Sequence, residues 1–178
     1  MKPEKTEIAT VVYLMRGETI CLAKKKQHIH TKDGKELDKS KLTWNGYGGK
    51  AEDEDESVRD TAIRELFQES GVIANKKDLI PCTRFNFFWP GNESVIPNMD
   101  VYFFFLKIYE GDPKETDEMG PPKFFSPSDL PFNEMMPNDR VFFPKILNGE
   151  KLVADVFLGK KDEDGNPVFV WKNEELEV

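Results

Sequence analysis

Cysteine and histidine are scarce in this sequence, with two of each in 178 residues. Two cysteines, Cys21 and Cys82, cannot build a disulfide framework or a metal knuckle, and they read as free thiols of a reducing compartment. His28 and His30 alternate in a polar stretch with no third ligand in view, which favours a solvated loop over a metal site. Long apolar runs are missing as well. The greasiest segment, "VYFFFLKIY" from Val101 to Tyr109, is far too short to span a bilayer and reads as a buried strand. The apolar run Ile8 to Met15 leads into Arg16-Gly17-Glu18, not into a small-residue cleavage site, so no targeting segment is expected and a cytoplasmic protein is. Positive charge is in deficit: 25 Lys and Arg stand against 33 Asp and Glu, for a formal net charge of −8. That balance disfavours DNA, RNA and anionic membranes as partners. A phosphate-bearing partner would need a divalent cation to screen the mutual repulsion.

What is present describes a globular chain. Fourteen phenylalanines point to thick packing or an aromatic-lined pocket, and the length suits one domain over residues 1–178. "TEIATVVYLM" and "TICLAKKK" read as strands joined by a turn at Arg16-Gly17-Glu18. A long polar loop, Gln27 to Lys41, precedes the glycine-rich "WNGYGG" (44–49), where a backbone can approach a ligand closely. Ser57 is a good N-cap with Asp60 three residues on, Val58, Ala62, Ile63 and Leu66 form an apolar stripe, and Gly71 supplies the stop, so a helix is predicted between them. "CTRFNFFW" and "MDVYFFFLKIY" read as strands around the loop "PGNESVIPN". "PKFFSPSDL" reads as a strand running into a helical turn, "PNDRVFFPKILNG" as a helix broken or kinked by Pro144, and the last segment as a terminal hairpin. The sum is a mixed sheet covered by helices.

The chemistry concentrates on the first helix. With Glu65 at the zero of a helical wheel, Glu69 lies about 40° away and Gln68 about 60° to the other side. Two carboxylates one turn apart repel unless a cation lies between them. Such oxygen ligands suit hard ions such as Mg²⁺, which shares its coordination with water and substrate phosphates. An isolated Glu pair would more often be a solvated face. Here it comes with a glycine pair, an acidic loop, a capped helix, Arg-Glu-Leu and Gln-Glu-x-Gly.

On these residues the chain resembles the Nudix hydrolase family. That family's box reads Gly, five residues, Glu, seven residues, Arg-Glu, an aliphatic, any residue, Glu-Glu, any residue, Gly, an aliphatic. Glu56 to Val72 follow it with Gln68 in place of the first glutamate of the pair, and six residues, not five, separate Gly49 from Glu56. "WNGYGGK" and "TDEMGPPKFFSPSDLPFNEMMPNDRVFFP" are similar to the MutT-homologue branch of oxidised-purine nucleoside triphosphate diphosphatases, over most of Ile8 to Pro144, with Gln27–Lys41 as an insertion. The resemblance implies an α/β fold, the Nudix α/β/α sandwich with a mixed β-sheet between helices. It implies Mg²⁺, with Mn²⁺ as an alternative, held by Glu65, Gln68, Glu69, Glu118 and the Gly48 carbonyl. Glu65, Glu69 and Glu118 would be catalytic. Glu56 and Arg64 would pair to brace the loop, with Gly71 structural. Thr10, Lys25, Asn45, Phe85, Met99, Met136, Asn138 and Asp139 would contact a nucleotide such as 8-oxo-dGTP, which water would split into a monophosphate and pyrophosphate. "MMPND" stands where the branch has Trp-Pro-Asp-Asp, so Met136 replaces a stacking tryptophan and Asn138 an aspartate. An amide offers donor and acceptor at every pH, which predicts weaker pH dependence of purine recognition than a two-aspartate pocket gives. A monomer or weak dimer is expected.

Two other readings exist at this level. One is hydrolysis of ADP-ribose or a dinucleoside polyphosphate, but Pro90 is not at the ADP-ribose position and no tyrosine holds the dinucleoside one. The other is a silent Nudix-fold binding module, supported by Gln68 and opposed by three remaining acidic ligands.

Overall fold

The computed structural model describes residues 5–26 and 42–178; the stretch Gln27–Lys41, with His28 and His30, lies outside them. An open mixed sheet carries the molecule. Its strands are β1 (Glu7–Arg16), β2 (Thr19–Lys24), β3 (Trp44–Asn45), β4 (Ile80–Phe88), β5 (Met99–Leu106), β6 (Lys123–Phe125), β7 (Leu152–Lys161) and β8 (Pro167–Trp171). The order is β3-β2-β1-β5-β4-β7-β8, with β6 paired to β2. The β1–β5 and β4–β7 pairs are parallel and the others antiparallel. Two helices, α1 (Val58–Ser70) and α2 (Asp139–Leu147), complete the main elements.

Strand alternation explains why both faces of the sheet are covered. Ala9 and Tyr13 of β1 join Phe85, Phe103 and the α2 residues Phe142, Phe143 and Ile146 in one core cluster. Val12 and Leu14, the intervening residues, join Phe104 and the α1 residues Ala62 and Leu66 in another. The helices therefore lie on opposite faces, as an α/β/α sandwich requires.

Helix α1 keeps the predicted punctuation. The Ser57 side chain accepts from the Asp60 N–H, and Gly71 ends the helix in a left-handed conformation, φ 75°. Helix α2 does not break at Pro144 but runs through it to Leu147. The missing N–H leaves only the carbonyl of Arg140, an exposed residue whose backbone water can serve. Both cysteines are buried and free. Among the described residues no helix is long and apolar enough to cross a membrane.

Candidate active site

The cleft forms where β2 leaves β1. The two strands pair only at Met15–Ile20 and Arg16–Thr19 beside their turn. The glycine-rich segment takes over the edge of β1 beyond that point. Val12 and Tyr47 exchange backbone hydrogen bonds, Thr10 N–H donates to the Gly49 carbonyl, and Ala51 N–H to the Ile8 carbonyl. Two glycines make this approach feasible. A Cβ on Gly48 would sit 1.8 Å from the Thr10 carbonyl oxygen, and one on Gly49 would sit 2.5 Å from the Glu65 carboxyl carbon. The segment is thus pressed between the β1 backbone and the acidic face of α1.

Glu69 lies at the bottom, 1% exposed. Its Oε2 accepts from the Gly48 N–H at 2.8 Å, and its Oε1 lies 3.5 Å from Lys25 Nζ. Lys25 also donates to the Gly48 carbonyl at 3.1 Å, so one ammonium clamps both the helix and the loop. Burial raises the Glu69 pKa, with Glu65 and Glu118 adding to the rise and Lys25 and the Gly48 N–H opposing it. Glu118 reaches the cleft from a loop tied to the same helix: Thr116 Oγ1 donates to the Glu69 carbonyl and accepts from the Glu118 N–H. Lys26 N–H donates to the Glu118 carbonyl.

A cavity of about 600 Å³ results, lined among others by Thr10, Lys25, Asn45, Gly48, Glu65, Gln68, Glu69, Met99 and Glu118. Nine of the expected residues therefore converge. The oxygen-rich donor set suits a hard divalent cation. Among the described residues no three His, Cys, Asp or Glu side chains already enclose a point where an ion would sit. The amide of Asn45 bonds Thr43, donating to its carbonyl and hydroxyl, and Gln68 Oε1 accepts from Arg64.

Several expectations need correction. Arg64 does not brace the loop through Glu56. Its guanidinium grips Asp55, Nε to Oδ1 at 3.0 Å and Nη2 to Oδ2 at 2.7 Å. Asp55 Oδ2 also accepts from Thr61 Oγ1 and the Glu52 N–H, while Glu56 is exposed. Counted to Asp55, five residues follow Gly49, as in the family's box, so the extra residue lies after the acidic partner. Phe85 is no pocket wall. It is fully buried in mid-strand under α2, ringed by Phe87, Phe103, Phe142, Phe169 and Trp171. Met136, Asn138 and Asp139 are not among the residues that line this cavity. Met136 is 42% exposed, while Asn138 and Asp139 are buried at the start of α2. Burial pushes the Asp139 pKa up to about 7, against a partial offset from the Met136 N–H. Residues that sequence reading missed include Asp55, Thr116 and the cleft walls Ala9, Val11 and Val101.

A Gly-rich strand-edge loop, a capped acidic helix and a third glutamate from a distant loop define a hydrolase of the Nudix type. A model of the NUDIX domain matches residues 5–146, and the chain belongs to that family. It is 35% identical over 127 residues to the oxidized purine nucleoside triphosphate hydrolase of Danio rerio, covering 71% of this chain and 74% of that protein. The Mus musculus protein of the same name is 35% identical over 108 residues, 61% of this chain and 65% of that one. In fold it is similar to the crystal structure of a MutT protein from Bacillus halodurans, with TM-score 0.68, 16% identity, and coverage of 95% and 99%.

Proposed function

We propose that this protein hydrolyses purine nucleoside triphosphates, oxidised ones such as 8-oxo-dGTP included, to the monophosphate and pyrophosphate, and so removes damaged nucleotides from the pool. The observation that carries the reading is the convergence of Glu65, Glu69 and Glu118 with Lys25 in a cleft that also has apolar walls, Met99 and Val101 among them. The likeness to two hydrolases of oxidised purine nucleoside triphosphates supports the substrate class.

Glu65, Glu69 and Glu118, with Gln68 and the Gly48 carbonyl beside them, would hold Mg²⁺. When bound, such an ion lowers the pKa of an attacking water and neutralises charge on the phosphates. The chain's own groups do the rest. A cleft carboxylate takes the proton that water gives up as its oxygen bonds to phosphorus. The P–O bond between the α-phosphorus or β-phosphorus and their bridging oxygen breaks, and its electron pair leaves on the departing pyrophosphate or nucleoside monophosphate. Lys25 holds the loop carbonyl and Glu69 in register. Arg64, through Asp55, fixes the loop against α1. The activity is that of one domain over residues 1–178, a cytoplasmic monomer or weak dimer with no nucleic-acid or membrane partner.

The test is a turnover screen of normal and oxidised nucleoside triphosphates, ADP-ribose and dinucleoside polyphosphates with Mg²⁺, with products identified. Turnover of 8-oxo-dGTP or 8-oxo-dATP to monophosphate and pyrophosphate supports the reading. Turnover confined to ADP-ribose or dinucleoside polyphosphates refutes it.

A further inference from the structure

If a divalent cation held by Glu65 and Glu69 draws in the phosphates, the apolar walls Met99 and Val101 are left for the base. The strand paired with Met99 carries an aromatic face. Met99 opens β5, and its cross-strand partner is Phe87. Trp89, two residues on and therefore on the same side of the ribbon, leans on Phe87 with ring centroids 6.3 Å apart and planes at 38°. The residue is 39% exposed. The backbone beneath it is held firmly. Trp89 N–H donates to Asn98 Oδ1, Asn92 Nδ2 donates to the same oxygen, and Asn92 N–H donates to the Trp89 carbonyl. A cavity of about 430 Å³ is lined by Trp89 together with Asn92, Glu93, Ser94 and Asn98. Meanwhile Met136, which stands where the branch has a stacking tryptophan, is 42% exposed and is not among the residues lining the cleft cavity.

We infer that Trp89 is a specificity-determining residue that stacks on the base, from the β4–β5 loop. The inference rests on the cleft being a nucleotide site. An indole carried on a loop fixed by three hydrogen bonds offers a planar face at little entropic cost, and a purine is the base that covers it best.

The test uses the full chain with W89A and W89F. Trp89 emission, taken as wild type minus W89F because Trp44 and Trp171 remain in both, is titrated with 8-oxo-dGMP and, separately, with inorganic tripolyphosphate. Quenching by the nucleotide and none by tripolyphosphate is expected. In turnover of 8-oxo-dGTP, W89A should raise KM roughly tenfold with kcat within about twofold, as loss of one base-stacking platform implies, and W89F should recover most of it. An unchanged KM in W89A, or a nucleotide titration that leaves the Trp89 emission flat, overturns the inference. Should the wild type hydrolyse no nucleoside triphosphate, the proposed function falls, and the quenching by 8-oxo-dGMP still decides the role of Trp89.

Discussion

Replacing Asp55 by alanine removes the anchor that ties the acidic loop to helix α1. The Asp55 carboxylate accepts four hydrogen bonds: two from Arg64, at 3.0 and 2.7 Å, one from Thr61 at 2.9 Å and one from the Glu52 N–H at 3.0 Å. Arg64 would not be stranded, because Glu65 Oε1 at 2.8 Å and the Lys50 carbonyl at 3.0 Å remain, and its side chain is 21% exposed. Hydrogen bonds to charged groups contribute about 1.5–3 kcal/mol each but are not additive when they share one carboxylate, so a net loss of about 2–3 kcal/mol is expected. For a domain of this size that corresponds to a fall in Tm of about 4–12 °C. Glu56→Ala, one residue along, should stay within about 0.5 kcal/mol of wild type, as exposed positions do. Arg64 holds the Asp55 carboxyl well below the ordinary value of 3.8, so its stabilisation is full above that pH, declines below it and is gone only beneath the lowered folded value. The gap between Asp55→Ala and wild type should accordingly narrow, without closing, at pH 3. Urea or thermal unfolding at pH 7 and pH 3 reads both effects. If Glu56→Ala costs as much as Asp55→Ala, or if Asp55→Ala is neutral at pH 7, the assignment of the brace is wrong.

Gly49→Ala should cut turnover of 8-oxo-dGTP by at least about tenfold, because the new methyl would force the Glu65 carboxylate, 2.5 Å away, out of its geometry; unchanged kinetics would mean that Glu65 works from elsewhere. Asp139 behaves oppositely to Asp55: its folded pKa is raised to about 7 by burial, so the folded state keeps a proton that the unfolded chain loses near 3.8. Wild-type stability should therefore fall as pH rises from about 4 to about 7, by roughly 3 kcal/mol between pH 5 and pH 8 from this group, while Asp139→Asn falls by clearly less, the rest coming from groups such as Glu69 that burial also raises; urea midpoints at the two pH values check this, and equal slopes would contradict it.

The Ser57–Gly71 helix was legible because its signals are local: a capping side chain, an apolar stripe and a left-handed stop each act within a few residues. The acidic pair on α1 was legible for the same reason, since helical spacing alone sets Glu65 and Glu69 on one face. The partner of Arg64 was not. Two acids stand side by side at positions 55 and 56, and matching by residue type chose the glutamate, whereas the guanidinium is satisfied by whichever carboxylate the turn delivers. Phe85 shows a second limit. A phenylalanine in an alternating strand declares which face it is on, but not whether α2 covers that face completely, and here Phe142 does. Thr116 carried no signal in the chain, because its bond to the Glu69 carbonyl joins segments 47 residues apart.

The central claim, that the Glu65–Glu69–Glu118 cleft splits nucleoside triphosphates with the help of a divalent ion, is tested most directly by 8-oxo-dGTP hydrolysis in wild type and Glu69→Gln with Mg²⁺ titrated in. The glutamine can still accept from the Gly48 N–H, so folding should survive while a buried anionic ligand is lost. The prediction is Mg²⁺-dependent release of monophosphate and pyrophosphate in equal amounts by wild type, reduced about 100-fold or more in the variant. Undiminished turnover in a folded Glu69→Gln protein, or turnover independent of any divalent ion, would contradict it.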